Sequence, residues 1–415
     1  MDESEGLADK LRALGIKSGI HHKKPQDTSQ AGFDISEVVQ GQELDTAFGS
    51  TFVVEKDYSF DEIMGNGSQT NGVSLEMIAK WSGYSSIIGQ SVEEFLFLDT
   101  ETSGLSGGTG TFVFLVGLGY WTKDGFHTIQ LFLRDPAVEP GFLSGLAHYL
   151  SSYKTIVTFN GKSFDVPMLN ARHVINGFTT PFSEIQHIDL LPLARRLWRN
   201  RLASRALKDL EVEILDVSRT DEEVPGWMIP ELYYEYLRTK DARPLANVLY
   251  HNAQDILSLG LLMNVMAELL ENPLEVSPNE GLDLIAVARM YEEINHWDYA
   301  VQLYEHSLAE GNLPLPFYLD TIRRYANLYR KQERYEEALQ LWIKAAEHRQ
   351  PDACIEIAKY YEHRQKDCGR ALKWVEKALA YVLEDTSMPA QAIWQEEITH
   401  RANRLQRKLH QAGEK

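Results

Sequence analysis

The feature that most constrains this chain is an apolar run that ends in two acids on alternate residues. Phe95 to Leu98 form the continuous apolar stretch of a strand buried on both faces, and Asp99 and Glu101 follow directly. Residues two apart in an extended chain point the same way, so the two carboxylates converge. Two like charges held together need a cation. Taken alone, the pattern also fits a solvated turn after a strand.

A second acid stands at another predicted junction of strand and helix. Thr155 to Phe159 form a short β-rich run, and an Asn-Gly turn follows at Asn160. Pro167 lies near the start of the next helix, where proline is favoured. Asp165 is therefore predicted at the point where the strand gives way to the helix.

A third unit runs from Asn247 to Met263, and its apolar residues have helical spacing. His251 and Asp255 are four residues apart in it, so they share one face of the helix.

The order of these units resembles the DEDD superfamily of metal-dependent 3′–5′ exonucleases, which have a ribonuclease-H-like fold. The shared pattern is D-x-E, then N-G-x-x-F-D after a strand, then a helix with H-x-x-x-D. Within that superfamily, the N-G-K-S-F-D and H-N-x-x-D stretches are similar to the bacterial YprB-like ribonuclease-H-like group. The resemblance spans Val92 to Leu270. It implies an α/β ribonuclease-H-like domain, with a mixed five-stranded sheet flanked by helices.

The resemblance also implies residue roles. The four metal-binding acids of the family match Asp99, Glu101, Asp165 and Asp255. The family's general base is usually a His five residues before the last Asp or a Tyr four before it, whereas this chain has Tyr250 at five and His251 at four. A residue four before Asp255 lies nearly above it, but one five before lies about 140° around the helix. We therefore predict His251 as the catalytic base, with Tyr250 as the alternative.

The implied reaction is phosphodiester hydrolysis by two divalent ions, which generate hydroxide and stabilise the leaving oxygen. Hard carboxylate ligands favour Mg²⁺ or Mn²⁺. A histidine titrates near neutral pH and can take the proton of the attacking water. The only two cysteines, Cys354 and Cys368, lie outside this region, so a thiolate nucleophile or a cysteine-rich zinc site is not supported.

The net charge of −19 argues against nonspecific wrapping of nucleic acid by the whole surface. The segment from Ala194 to Lys208 is the exception, because it carries basic residues and no acid. Arginines at this density pair with phosphates, and a tryptophan stacks on a base. The alternative is an amphipathic helix with a solvated basic face. The residues predicted to contact RNA or single-stranded DNA are Asn160, Lys162, Arg195, Arg196, Trp198, Arg199 and Arg201.

Two local features have open interpretations. The Gly/Ser/Thr loop from Gly104 to Thr111 either lets a nucleotide end approach the backbone or forms a flexible turn, and it lacks the Gly-Lys-Ser/Thr ending of a P-loop. Asp189 is either an outer-shell acid or, as we favour, the N-cap of the helix that follows it.

After Pro278 the strands stop and helical repeats begin. Ala300, Ala338 and Ala371 recur at intervals near the 34-residue period of tetratricopeptide repeats. Such repeats form a solenoid whose concave face binds a protein partner, although a plain helical bundle is the alternative. The predicted organisation is a flexible segment over 1–45, an extension over 46–91, the nuclease domain over 92–270, tetratricopeptide-like repeats over 279–385 and a C-terminal helix over 386–415.

Length and composition predict the setting. A chain of 415 residues that is 44% hydrophobic supports two or three domains with real cores. We expect no membrane partner and a cytoplasmic location, because the apolar runs are short, the chain begins with acids, and cysteines are few. The predicted function is that of a metal-dependent nuclease. The alternative is a catalytically silent nucleic-acid-binding or scaffold protein that acts through its repeats, and the presence of all four acids argues against it.

Overall fold

A mixed sheet organises the first part of the chain. The computed structural model describes residues 32–64, 74–104, 110–219, 224–277, 280–384 and 391–413. The strands are β1 Gln42–Thr46, β2 Gly49–Ser59, β3 Phe95–Thr102, β4 Val113–Thr122, β5 Gly125–Phe132, β6 Thr155–Thr158 and β7 Gln186–Asp189. They lie in the order β1-β2-β5-β4-β3-β6-β7. The first five pair antiparallel, and β6 and β7 continue parallel to β3.

The ribonuclease-H-like α/β fold predicted from the sequence is confirmed, with seven strands rather than five. The two additional strands come from the predicted extension and from the end of the segment before it. β2 pairs along the whole of β5, and its Phe52 and Val53 are buried. The extension therefore covers an edge of the sheet that would otherwise expose unpaired backbone groups. Most of the predicted flexible segment, and Leu105 to Thr109 of the glycine loop, lie outside the described residues.

Helices cover both faces of the sheet. They are α1 Ile35–Val38, α2 Phe60–Met64, α3 Glu76–Ser82, α4 Glu139–Leu150, α5 Asp165–Ile175, α6 Leu190–Trp198, α7 Leu207–Glu213, α8 Ile229–Thr239 and α9 Leu245–Glu271. Phe95 and Phe97 of β3 belong to the core that includes most of α9, whereas Leu96 and Leu98 belong to the core around α4 and α8. The alternation explains why the apolar run is continuous: β3 is buried on both faces.

The long helix α9 approaches the sheet closely because β4 has glycines beneath it. A Cβ atom at Gly117 would lie 2.3 Å from Oδ1 of Asn252, and one at Gly119 would lie 2.4 Å from Cγ2 of Ile256. By length and composition α9 is apolar enough to cross a membrane, but 72% of its most apolar window is buried inside the protein. It is the central core helix of this domain.

The rest of the described chain is helical. Its helices are α10 Pro273–Val276, α11 Gly281–Glu293, α12 Trp297–Ala309, α13 Leu315–Lys331, α14 Tyr335–Glu347, α15 Pro351–His363, α16 Cys368–Glu384 and α17 Gln391–Gly413. Ala300, Ala338 and Ala371 are fully buried, as small residues between packed helices should be. That these helices are tetratricopeptide repeats that bind a partner stays a prediction.

Candidate active site

Strand β3 supplies two acids. Asp99 and Glu101 continue the alternation of Phe95 and Phe97, so their side chains leave the sheet on the face that α9 covers. The pairing of β3 with β4 shifts between Glu101 and Thr102. Such a bulge ends the regular ladder next to the two carboxylates.

Helix α9 supplies the third acid and the histidine, on the helical face predicted from their spacing. Nε2 of His251 lies 3.4 Å from Oδ2 of Asp255 and 3.8 Å from Oε1 of Glu101. One ligand atom from each of these three side chains lies within 4.8 Å of the others. The structure thus brings a β3 acid and two α9 side chains to one point.

The fourth acid, Asp165, is the first residue of α5 and is 9% exposed. It follows a turn in which Asn160 has a φ of 67°, a left-handed conformation that asparagine tolerates. Oγ1 of Thr100 donates a hydrogen bond of 2.5 Å to Oδ1 of Asp165. This bond ties α5 to β3, and the charge of Asp165 is close enough to raise the pKa of both Asp99 and Glu101. We call the four carboxylates the acidic centre: Asp99, Glu101, Asp165 and Asp255.

Burial and mutual repulsion make the acidic centre unfavourable without a cation. Burial raises the pKa of Asp99 and of Glu101 well above their usual range, and the charges of Asp255 and Asp165 raise both further. Burial also raises the pKa of Asp165, although the hydrogen bond from Thr100 opposes it. The pKa of Asp255 is raised by burial against the opposing charges of His251 and Arg219.

Asp99 is held by an amide from α9. Nδ2 of Asn252 donates to Oδ2 of Asp99 at 3.0 Å. Gln130 of β5 donates from Nε2 both to Oδ1 of Asn252 at 2.9 Å and to the carbonyl of Leu249 at 2.8 Å. Asp99, Gly117 and Gln130 are register partners across β3, β4 and β5, and the missing side chain of Gly117 makes room for the amide. We call this arrangement of Gln130, Asn252 and Asp99 the amide clamp.

A buried arginine meets the acidic centre from the other side. Nη2 of Arg219 donates to Oδ1 of Asp255, and Nη1 lies 3.1 Å from Nδ1 of His251. Glu211 of α7 accepts from Nε at 2.6 Å and from Nη2 at 2.5 Å. Although burial alone would lower the pKa of Arg219, its hydrogen bond to Glu211 and the charge of Asp255 raise that pKa, so Arg219 is a permanent cation.

The donor set fits hard divalent cations. Carboxylate oxygens are the ligands that Mg²⁺ and Mn²⁺ prefer. Burial and the neighbouring acids raise the pKa of Asp99 and of Glu101, so a bound cation would favour their charged forms. The side chains that would hold such ions are those of the acidic centre, with His251 beside them.

The residues predicted to touch nucleic acid near β6 have backbone roles. The amide of Asn160 donates to Oδ1 of Asp189 at 2.7 Å, and that of Lys162 donates to Oδ2 at 3.2 Å. The carboxylate of Asp189 also accepts from the amide of Leu191, so Asp189 is the predicted N-cap of α6. The side chain of Lys162 is exposed.

The basic segment is split between surface and interior. Trp198 is 1% exposed, so the expectation that it stacks on a base is wrong. Arg201 pairs with the buried Asp283 at 3.0 Å and so joins the loop after α6 to α11. Arg196 pairs with Glu293 at the surface. Arg195 and Arg199 are exposed, and their contact with nucleic acid stays a prediction.

Sequence reasoning missed the residues that support the acidic centre, namely Gln130, Asn252, Glu211 and Arg219. A signal existed for two of them. Gln130 is a lone amide in an apolar strand, and Asn252 lies beside His251 on a core helix. Arg219 follows a stretch without helical or strand periodicity, and nothing in its local sequence points to Asp255.

Three comparisons relate this chain to known proteins. A family model described as the RNase_H superfamily matches residues 96–267. The chain is 32% identical over 317 residues to YprB of Bacillus subtilis (strain 168), which covers 74% of this chain and 75% of YprB. A family B DNA polymerase from the hyperthermophilic archaeon Pyrobaculum calidifontis aligns with a TM-score of 0.33 and 15% identity, over 48% of this chain and 28% of the polymerase. The first two findings identify the family, whereas the polymerase likeness is too low to carry an argument.

Proposed function

Because this chain belongs to the RNase H superfamily, as a relative of YprB, we propose that it is a metal-dependent nuclease that hydrolyses phosphodiester bonds of nucleic acid. The observation that carries the proposal is the acidic centre. Burial raises the pKa of all four carboxylates from β3, α5 and α9, and the charges of Asp255 and Asp165 raise the pKa of Asp99 and of Glu101 further. A fold with no need for cations would not keep such a cluster at its core.

Two divalent ions bound by the acidic centre would supply a hydroxide near neutral pH and stabilise the leaving oxygen. Other residues of the chain hold these carboxylates in position for that chemistry. The amide clamp holds Asp99, the hydrogen bond from Thr100 holds Asp165, and the rigid helix α9 holds Asp255. The acids are thus fixed by three separate elements before any substrate arrives.

His251 is the proposed acceptor of the proton of the attacking water. Its Nε2 faces Asp255 and Glu101 at 3.4 and 3.8 Å, which puts the ring beside the acids rather than behind them. Of the two candidate bases, His251 is therefore favoured over its neighbour Tyr250. A positioned histidine contributes typically about 10²- to 10⁴-fold to a rate.

We further propose that the enzyme removes nucleotides from a 3′ end. The resemblance to the DEDD exonucleases supports this polarity, and a cavity of about 360 Å³ opens beside Asp255 and His251. Its volume is at the lower end of small-ligand sites and is compatible with one terminal nucleotide. Lys208 in its wall offers positive charge toward a phosphate.

The test is cleavage of single-stranded RNA and DNA labelled at the 5′ end, in Mg²⁺, Mn²⁺ or EDTA. We expect a ladder that shortens from the 3′ end with either ion and no cleavage in EDTA. Asp255→Asn is the control, since it keeps the shape of the side chain and removes a ligand charge. Cleavage that survives EDTA or this substitution would refute the proposal, and no cleavage of either nucleic acid would favour the silent scaffold.

A further inference from the structure

The side chain of Arg219 lies at the position where the proposed reaction requires a divalent ion. Its guanidinium donates to Oδ1 of Asp255, one of the oxygens that a divalent ion would bind. The side chains of Arg219 and Asp255 are 6% and 15% exposed, so water screens this pair weakly. The Arg219 guanidinium therefore lies where a divalent metal ion from solution is expected to bind.

Glu211 holds the Arg219 guanidinium in this position. Its carboxylate, 1% exposed, receives two hydrogen bonds from Arg219, the forked geometry that arginine forms best. Because Glu211 already balances its charge, Arg219 does not need Asp255 as a counter-ion. The bond to Asp255 can break without leaving a buried unpaired arginine.

The contact with His251 has a second consequence. A guanidinium has only N–H donors, so Nδ1 of His251 must accept the hydrogen bond from Arg219. The neutral ring then carries its hydrogen on Nε2, the nitrogen that faces Asp255 and Glu101. The contact with Arg219 thus fixes the tautomer and the orientation of the His251 ring.

We propose that Arg219 is a resident cation of the active site, which competes with divalent ions for Asp255. The inference rests on the proposed function, because it concerns the same acids and the same histidine. The cavity that Arg219 lines together with Lys208 and Val224 gives its side chain room to move while Glu211 retains it.

The test is the affinity of the substrate-free full chain for Mn²⁺, measured by isothermal titration calorimetry. Arg219→Gln should bind Mn²⁺ about tenfold or more tightly, since one charge-assisted hydrogen bond no longer competes. Arg219→Lys keeps the charge and should stay closer to the wild type. The double variant Glu211→Gln/Arg219→Gln leaves no unpaired buried glutamate and keeps the net charge, so it should also bind Mn²⁺ more tightly if the contact itself competes.

Weaker binding in Arg219→Gln and in the double variant would overturn the proposal, because Arg219 would then support the ligands. Unchanged binding in both would also overturn it. In either case, if the wild type binds Mn²⁺ and Asp255→Asn does not, the proposed metal site of the nuclease stands, and only the competition between Arg219 and the metal ion is refuted. If neither the wild type nor any Arg219 variant binds Mn²⁺, the metal site and this inference both fall. Circular dichroism of each variant verifies folding.

Discussion

The amide clamp makes a quantitative prediction about Asn252. Asn252→Ala removes the hydrogen bond to the Asp99 carboxylate and the one received from Gln130. A hydrogen bond to a charged group contributes about 1.5–3 kcal/mol and one between neutral groups about 0.5–1.5 kcal/mol. We therefore expect the free energy of unfolding to fall by about 2–4.5 kcal/mol.

The same substitution should weaken metal binding. Without Asn252 the Asp99 side chain is free to turn, and loss of a residue that orients a ligand typically costs about 10- to 100-fold in metal affinity. Urea unfolding in EDTA measures the first effect, and titration calorimetry with Mn²⁺ measures the second.

The chain contains a matched control on the same helix. Asn264 is also a buried asparagine of α9, but neither of its amide atoms has a hydrogen-bond partner within the part of the chain that the structure describes. Asn264→Ala should cost less stability and leave the affinity for Mn²⁺ unchanged. If Asn252→Ala alters neither quantity more than Asn264→Ala does, the clamp does not hold Asp99 in solution.

Three further predictions concern the reaction and its setting. Replacing Arg195 and Arg199 by Ala should weaken substrate binding and reduce its dependence on salt by about one slope unit per lost phosphate contact, whereas Arg196→Ala should leave that slope unchanged; binding measured over a range of salt concentrations decides this. His251→Ala should lower the single-turnover rate by about 10²- to 10⁴-fold, and Tyr250→Phe should cost little; the reverse result exchanges their roles. In EDTA, the protein should become less stable as pH rises, because acids whose pKa is raised in the folded state bind more protons in that state than in the unfolded state. Thermal unfolding should therefore respond more to Mg²⁺ at pH 8 than at pH 5, and an equal response at both would contradict this.

The parts of the fold that follow from strong periodicity could be predicted from the sequence. The apolar run before Asp99 is continuous because β3 is buried on both faces. His251 and Asp255 share a face because four residues make about one helical turn. β1 is harder to predict, since it is short and none of its residues is fully buried.

The errors have physical causes. Trp198 was assigned to substrate because basic residues surround it, yet it lies four residues after Ala194 and seven after Leu191 on the buried face of α6. The helical spacing of Trp198 therefore indicates a core position, but the prediction gave more weight to the basic residues beside it. The contact of Arg219 with Asp255 joins residues 36 apart in sequence, and no local rule specifies it.

The most direct test of the account is a crystal of the full chain soaked in Mn²⁺, with diffraction data collected where manganese scatters anomalously. We predict one or two anomalous peaks within coordination distance of the carboxylates of Asp99, Glu101, Asp165 and Asp255. The peaks should vanish in crystals of Asp255→Asn or Asp99→Asn grown and soaked in the same way. Peaks elsewhere, or no peak while these four side chains stay together, would contradict the claim that they form a divalent-metal centre.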